Sequence, residues 1–277
     1  MKSQLPGSLS THLPIKRGLK FTYILSFIIA LLMTAVSLGG LLFSSTFYST
    51  DEMRQAFLGN DVVNLLIGLP ILLVSMWLTK REKLAGLLCW PGAMLYVVYN
   101  YLVYLLGMSF SWLTIVYFAL VGLGAYAMVA LLKSIDQASV KEKLTGVVPV
   151  KTTSWILLLF GVMFFFRAIG ILGQAVIIQT MLPPPEVGLL IADLIGSLLW
   201  IAGGALLLRN KPLGYASGFG LLFAICALFV GLIVVLLLQP FLTGAPFVPV
   251  DVIVVFIMGL VCFVPFALFL RGVVSRT

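Results

Sequence analysis

Charged side chains are scarce in this chain of 277 residues. Only 9% of the residues are Asp, Glu, Lys or Arg, whereas 62% are hydrophobic and the mean hydropathy is +1.19. A soluble domain carries about 25% charged residues, so this composition excludes a water-soluble exterior. The apolar runs are long and do not alternate, which argues against a spanning β-barrel. The sequence therefore predicts an all-α, polytopic membrane helix bundle that lies in the lipid bilayer.

Residues that usually hold metals or haem are nearly absent. The three cysteines, Cys89, Cys226 and Cys262, fall inside apolar runs and form no CxxC pair, so they indicate neither a disulfide framework nor a zinc site. The single histidine, His12, precedes the first apolar run. We therefore expect no metal site and no other cofactor.

Sequence motifs of known enzyme classes are also missing. The chain contains no HExxH, GxSxG or Walker motif, and no GxGxxG follows a predicted strand. No lysine lies within a predicted span, which argues against a retinal Schiff base. We predict no catalytic residues, and an enzyme ranks below a binding protein or a scaffold.

Eight apolar segments are long enough to cross a hydrocarbon core of roughly 30 Å. The first run is longer than the hydrophobic region of a signal peptide, so we interpret it as a retained helix. The segments 1–20, 134–151 and 272–277 are predicted to be a tail, a polar loop and a C-terminal end. The predicted spans are 21–46, 61–79, 84–107, 111–132, 153–178, 187–208, 213–238 and 251–270.

Basic residues are distributed very unevenly between the two predicted sides. Of the 17 Lys and Arg residues, Arg54 alone falls on one side and Arg167 lies within a span, while all the others fall in the tail, the alternate loops and the C-terminus. Short cytoplasmic loops carry such an excess. The sequence therefore predicts a cell-membrane protein with both termini in the cytoplasm. The net charge of +8 reflects this topology and not a nucleic acid partner.

The two halves of the chain, 21–133 and 152–271, have a similar order of features. In each half a span with an aspartate, Asp61 or Asp193, precedes a short basic hairpin and two further spans. Four spans per half would give two parallel repeats related by an axis along the membrane normal. The sequence thus predicts two four-helix halves.

Polar side chains within the spans gather in the half of the membrane away from the basic loops. Ionisable groups in a bilayer are costly and usually face the bundle interior, and a buried amide needs hydrogen-bonding partners. Arg167 and Asp193 lie at similar depth on consecutive antiparallel spans, which predicts an ion pair. The predicted substrate-binding residues are Asp61, Asn64, Tyr96, Asn100, Arg167, Gln174 and Asp193.

Structural roles compete with binding for each of these residues. The Arg167–Asp193 pair could have the purely structural role of fixing the register of two helices. Asp61 could cap a helix N-terminus. The tyrosines could form an interfacial aromatic belt. If the set binds a ligand, we expect an outward-facing pocket between the second, third, fifth and sixth spans. Asn64 or Asn100 would line its wall and the ion pair its floor.

One stretch resembles a known group of proteins. The run WPGAMLYVVYNYLVYLLG follows a basic hairpin, and GNDVVNLLIGLPILL precedes that hairpin. Over about residues 59–133 the chain resembles a group of prokaryotic multi-span membrane proteins to which no activity is assigned. The resemblance implies that this region is a unit and implies nothing about its chemistry.

Three functions remain open at the level of the sequence. The first is an integral membrane protein whose outward-facing polar pocket binds or transports a small solute or a lipid. The second is a non-catalytic subunit or scaffold with a membrane protein partner. The third is an intramembrane enzyme that modifies lipids with Asp61 and Asp193, aided by Arg167.

Overall fold

The chain forms a bundle of membrane helices in the computed structural model, which describes residues 13–275. Residues 1–12 of the predicted tail and residues 276–277 lie outside the described residues. Eight segments are long and apolar enough to cross a membrane, which confirms the predicted all-α, multi-pass fold. The helices are α1 (Lys20–Leu42), α2 (Ser44–Phe47), α3 (Asp51–Val63), α4 (Leu69–Lys80), α5 (Leu84–Gly107), α6 (Trp112–Ser134), α7 (Gln137–Leu144), α8 (Val150–Ile177), α9 (Pro184–Leu208), α10 (Pro212–Thr243) and α11 (Pro249–Val274).

The second span begins ten residues earlier than the sequence predicted. It runs continuously over Asp51–Lys80, so most of the predicted loop before residue 61 is helical. Thr50 caps α3 because its hydroxyl accepts a hydrogen bond from the Met53 amide at 3.2 Å. Two carboxylates in the first turn suit the positive end of the helix dipole. Asp61 therefore lies deep within a helix and not at its N-terminus.

A widened turn interrupts this second span between α3 and α4. The residues Asn64–Gly68 form a π-helical turn in which the Leu69 amide bonds to the Asn64 carbonyl. Pro70 follows, and a proline lacks an amide hydrogen and clashes with the carbonyl four residues before it in a regular helix. The wider turn relieves that conflict by adding one residue. Such turns often occur at functional sites.

Helix α5 is the centre of the bundle. It packs against α4, α6, α9 and α10, and most of its side chains are buried. It meets α10 at Gly92 and Gly220, where a Cβ added to Gly220 would lie 2.8 Å from the Leu88 carbonyl oxygen. Small residues allow membrane helices to approach at the level of their backbones. The α5–α10 contact therefore depends on glycine.

Both described ends of the chain lie on the same side of the bundle. Lys16 Nζ lies 3.5 Å from Asp136 Oδ1, in the segment that connects α6 to α8. At the other end of the chain, Gly272 packs against Val147 in the same segment. The segments around Lys16 and Gly272 therefore share one side with this connecting segment, as an even number of spans requires.

The predicted polar loop contains a short helix, α7. It is amphipathic, with Val140 and Leu144 buried against the bundle. Asp136 caps it by accepting hydrogen bonds from the amides of Ala138 and Ser139. The Ser139 hydroxyl, which donates to the Asp136 carboxylate at 2.9 Å, is the main reason that the pKa of Asp136 lies below its usual value.

Candidate functional site

Asp193 is the centre of the first polar group, at the junction of α5, α8 and α9. Arg167 Nη1 donates to Asp193 Oδ2 at 2.8 Å, and the Tyr99 hydroxyl donates to Oδ1 at 2.5 Å. The ion pair predicted from the sequence is thus present, and Tyr99 completes it. The Asp193 side chain is 3% exposed, whereas that of Arg167 is 43% exposed. The carboxylate is therefore closed by protein partners, while the guanidinium reaches the surface of the bundle.

Small residues bring α8 and α9 together around this pair. A Cβ added to Gly161 would lie 3.0 Å from the Ser197 carbonyl oxygen, and one added to Gly204 would lie 2.9 Å from that of Ser154. Contacts this close fix the rotation of each helix. The glycine and serine positions of α9 thus serve helix packing, and that packing holds Asp193 opposite Arg167.

Asp61 is the centre of a second polar group, at the junction of the first, second and third spans. The hydroxyls of Tyr48 and Tyr104 both donate to its carboxylate, the latter to Oδ1 at 3.0 Å. Asp61 is 1% exposed and faces Gly40 of α1, where an added Cβ would collide with Oδ2. The capping role that the sequence offered for Asp61 is wrong, because tyrosine hydroxyls bind this carboxylate within the helix.

Sequence reasoning missed Tyr48, because that residue lies in the predicted loop. Tyr48 and Tyr104 form a hydroxyl cage around Asp61, and two further buried hydroxyls lie beside this cage, where Ser37 and Tyr101 share a hydrogen bond of 3.2 Å. The rings of Tyr101, Tyr104 and Tyr117 pack on one another. These tyrosines are therefore interior residues of the first half and not an interfacial belt.

Tyr104→Phe should destabilise the protein, because the phenyl ring keeps its packing while Asp61 loses one of its hydroxyl donors. A buried acceptor that loses its donor costs about 1–3 kcal/mol. Thermal unfolding in detergent measures the loss. Tyr126→Phe, at a tyrosine that is 58% exposed, is the matched control and should leave the melting temperature unchanged. Equal melting temperatures for the two variants would contradict the cage.

Asn64 and Tyr96 form a third group, and here the polar atoms lack partners. Asn64 is 0% exposed, and neither Nδ2 nor Oδ1 has a hydrogen-bonding partner within the described residues; the same holds for the Tyr96 hydroxyl. A Cβ added to Gly68 would lie 2.8 Å from Tyr96 Cε1 and 3.6 Å from Asn64 Oδ1, so one glycine borders both side chains. The hydroxyl of Tyr96 lies beside Gly231 of α10. The third group is therefore buried and unsatisfied.

The remaining predicted residues behave differently. Asn100 is buried, but its Nδ2 donates to the Tyr96 carbonyl oxygen at 3.0 Å, within its own helix. Gln174 lies two turns beyond Arg167 on α8, is exposed, and its side chain bonds to none of the described residues. The two other unpartnered buried side-chain atoms, Thr153 Oγ1 and Trp200 Nε1, lie on α8 and α9.

The predicted residues thus fall into separate groups around α5. Asp193 and Arg167 lie with α8 and α9, whereas Asn64 and Tyr96 lie with α10. The seventh span, α10, packs beside Asn64 and Tyr96, whereas the sequence had predicted the fifth and sixth spans at this position. The two carboxylates bind different partners, which removes the shared acid–base site that the enzyme hypothesis needs. Within residues 13–275, no cluster of His, Cys, Asp or Glu could hold a metal.

Comparison with known proteins gives no match to a family model, a curated protein or a solved structure.

Proposed function

We propose that this integral membrane protein binds a small polar solute between Asn64 and Tyr96, for uptake or transport. One observation supports the proposal: the Asn64 amide and the Tyr96 hydroxyl are buried without a hydrogen-bonding partner among residues 13–275. Each unsatisfied polar group in a dry environment costs about 1–3 kcal/mol, and lipid offers no substitute. A bound group that satisfies these atoms removes that cost.

The chemistry of the three free atoms limits the solute. Asn64 offers two donors on Nδ2 and an acceptor on Oδ1, and the Tyr96 hydroxyl can do either. Neither side chain carries a formal charge, and the carboxylates of Asp61 and Asp193 already have partners. A neutral group that both donates and accepts, such as an alcohol or a carboxamide, matches this set better than an ion does.

A repeat within the chain gives independent support. A shift of 128 residues (214 minus 86, and 220 minus 92) carries Gly86 onto Gly214 and Gly92 onto Gly220. Gly86 packs on the backbone at Leu78–Thr79, and Gly214 packs on the backbone at 206–207, which is the same shift. Gly92 and Gly220 contact each other. These matched contacts are what two related halves would make around a common axis.

The π-turn adds one residue to the first half, so the shift before it becomes 129 (188 minus 59). Gly59 then corresponds to Gly188. Gly59 packs on Val235 and Gly188 packs on Gly107, and these two partners are related by the shift of 128 residues. The same shift of 129 residues carries Asn64 onto Asp193. The order of features in the sequence had instead matched Asp61 with Asp193.

Asn64, the counterpart of Asp193, thus lacks the tyrosine hydroxyl that binds Asp193. Tyr99, which binds Asp193, corresponds to Ala227 after the shift of 128 residues (227 minus 99). Ala227 packs in one cluster with Val63 and Tyr96, next to Asn64. A methyl group therefore stands where a hydroxyl would satisfy the amide. This replacement supports a ligand as the missing partner of Asn64.

Solute binding is tested by comparing wild type with Asn64→Leu. Leucine has the branching of asparagine but no polar atoms, so Asn64→Leu without added ligand should melt at or above the wild-type temperature. Acetamide, urea and glycerol serve as neutral probes at matched concentrations. We expect at least one of them to stabilise wild type relative to Asn64→Leu. Asn60→Leu, which removes an amide that already donates to the Ala56 carbonyl oxygen, is the control and should retain the difference. Identical responses of wild type and Asn64→Leu would overturn the proposal.

The orientation is proposed from the charge distribution: both termini lie in the cytoplasm of a cell-membrane protein. The three native cysteines are buried, so they give a silent background for labelling. An impermeant maleimide added to intact cells should label Ser49→Cys and leave Glu142→Cys unlabelled. Both positions are exposed, on opposite sides of the bundle. Labelling of Glu142→Cys alone would reverse the orientation.

A non-catalytic subunit is the second candidate, and the exposure of Arg167 favours it. Arg167 uses one nitrogen on Asp193 and is 43% exposed, so its other donors could bind an acidic residue of a membrane protein partner. In that case Asn64→Leu would leave every solute response unchanged, while Arg167→Gln would release a copurifying subunit.

A further inference from the structure

A cleft of about 450 Å³ opens at the basic side of the bundle, away from the polar groups described above. It lies between the end of α11 and the segment that leads into α8. Leu268, Arg271 and Ser275 form one wall, and Val147–Pro149 form the other. The volume falls within the range of small-molecule sites.

The floor of the cleft is held by a close backbone contact. A Cβ added to Gly272 would lie 2.9 Å from the Val147 carbonyl oxygen and 2.9 Å from Val148 Cγ1. Leu144 and Val148 are buried, which anchors the segment after α7. The cleft is therefore part of the packed structure and not a gap between independent segments.

The described residues that line the cleft carry charge of one sign. Among them Arg271 is the single charged residue, it is exposed, and it forms no ion pair with a described carboxylate. Pro149 immediately precedes α8, whose N-terminus has no side-chain cap. The unpaired amides of a helix N-terminus carry partial positive charge and attract anions. An anionic group in the cleft would thus meet a guanidinium and the positive end of a helix.

The remaining lining is apolar and continues into the membrane. Leu268, one turn before Arg271, is 49% exposed, and Val264 another turn further into the span is 57% exposed. A ligand with an anionic head at Arg271 could therefore place a hydrocarbon chain along α11. Basic pockets beside membrane helices bind anionic lipid headgroups for this reason.

We propose that this cleft binds the phosphate of an anionic phospholipid, with Arg271 as the principal contact and Leu268 beneath an acyl chain. The inference is independent of the solute site at Asn64. The surface involved carries most of the Lys and Arg residues of the chain, so anionic lipid is also enriched around it.

Lipid retention by the detergent-purified full chain, measured by native mass spectrometry, tests the proposal. The probes are phosphatidylglycerol, phosphatidylcholine and soluble glycerol 3-phosphate. We expect wild type to retain phosphatidylglycerol over phosphatidylcholine, and Arg271→Gln to reduce that retention about fivefold. Arg209→Gln, which removes a basic residue that does not line the cleft, is the charge-matched control and should retain the lipid.

A second variant separates the cleft from general charge attraction. Leu268→Trp keeps every charge, replaces an exposed side chain and fills the cleft, so it should also reduce retention. Binding of glycerol 3-phosphate as tight as that of the lipid would assign the site to a free phosphate and overturn the lipid proposal. Equal loss in Arg271→Gln and Arg209→Gln, or full retention in Leu268→Trp, would overturn the cleft as the binding site.

Discussion

Gly92→Ala is expected to destabilise the protein by about 3 kcal/mol, at the upper end of the usual cost of overpacking. The added Cβ would collide with the backbone carbonyl of Gly220, which cannot move without separating α5 from α10. Because α5 is the central helix, this separation would disturb packing on several sides. Thermal unfolding in detergent, followed by tryptophan fluorescence, measures the change.

Gly122→Ala is the matched control for this substitution. Gly122 lies within α6 and has nothing within 4 Å of an added Cβ. Alanine favours helix by up to about 1 kcal/mol over glycine, so this variant should melt at or above the wild-type temperature. A Gly92→Ala protein as stable as Gly122→Ala would show that α5 and α10 do not meet at these glycines.

Arg167→Ala should cost about 3 kcal/mol, because it leaves the buried Asp193 carboxylate with Tyr99 as its remaining partner. Breaking a buried ion pair typically costs about 3–5 kcal/mol. The lower end applies because the Tyr99 hydroxyl still donates to Asp193 after the change. Asp193→Ala should also lower stability, since it leaves the Arg167 guanidinium and the Tyr99 hydroxyl without their shared acceptor.

The double variant distinguishes a direct pair from two independent effects. With both charges gone, neither leaves an unpaired partner, so Arg167→Ala/Asp193→Ala should lose less stability than the two single losses added together. Gln174→Ala, at an exposed residue on the same helix as Arg167, is the control. Its effect on stability should simply add to that of either single variant. Additive losses for Arg167 and Asp193 would contradict the ion pair.

The ion pair was predictable because only ordinary helix geometry was needed. Two ionisable residues in consecutive apolar runs, at similar distances from the shared turn, have one economical arrangement. The eight spans followed in the same way from hydrophobic length. These predictions depend on local composition, which each segment carries by itself.

The surroundings of Asn64 were not predictable by that route. A regular helix would place Asp61, Asn64 and Gly68 on one face, but the π-turn before Pro70 changes the register between α3 and α4. The cap at Thr50 extended the span into a predicted loop and brought Tyr48 to Asp61. Both effects depend on a proline or a cap that changes the direction of the chain. The pattern of hydrophobic residues does not reveal either of them.

Glycine contacts between distant helices explain the other difference. The seventh span, and not the fifth or sixth, borders Tyr96, because Gly92 and Gly220 bring α5 and α10 together at the level of their backbones. The sequence shows the glycines, but which helix each one meets is a property of the assembled bundle.

The central claim is that Asn64 and Tyr96 hold a solute. It is tested most directly by an experimental density map of the full chain in lipid nanodiscs, at a resolution that shows ordered water. We expect non-protein density larger than one water molecule, within about 3.2 Å of both Asn64 Nδ2 and the Tyr96 hydroxyl. An Asn64 amide bonded to the protein itself, or a single water molecule in its place, would contradict the account.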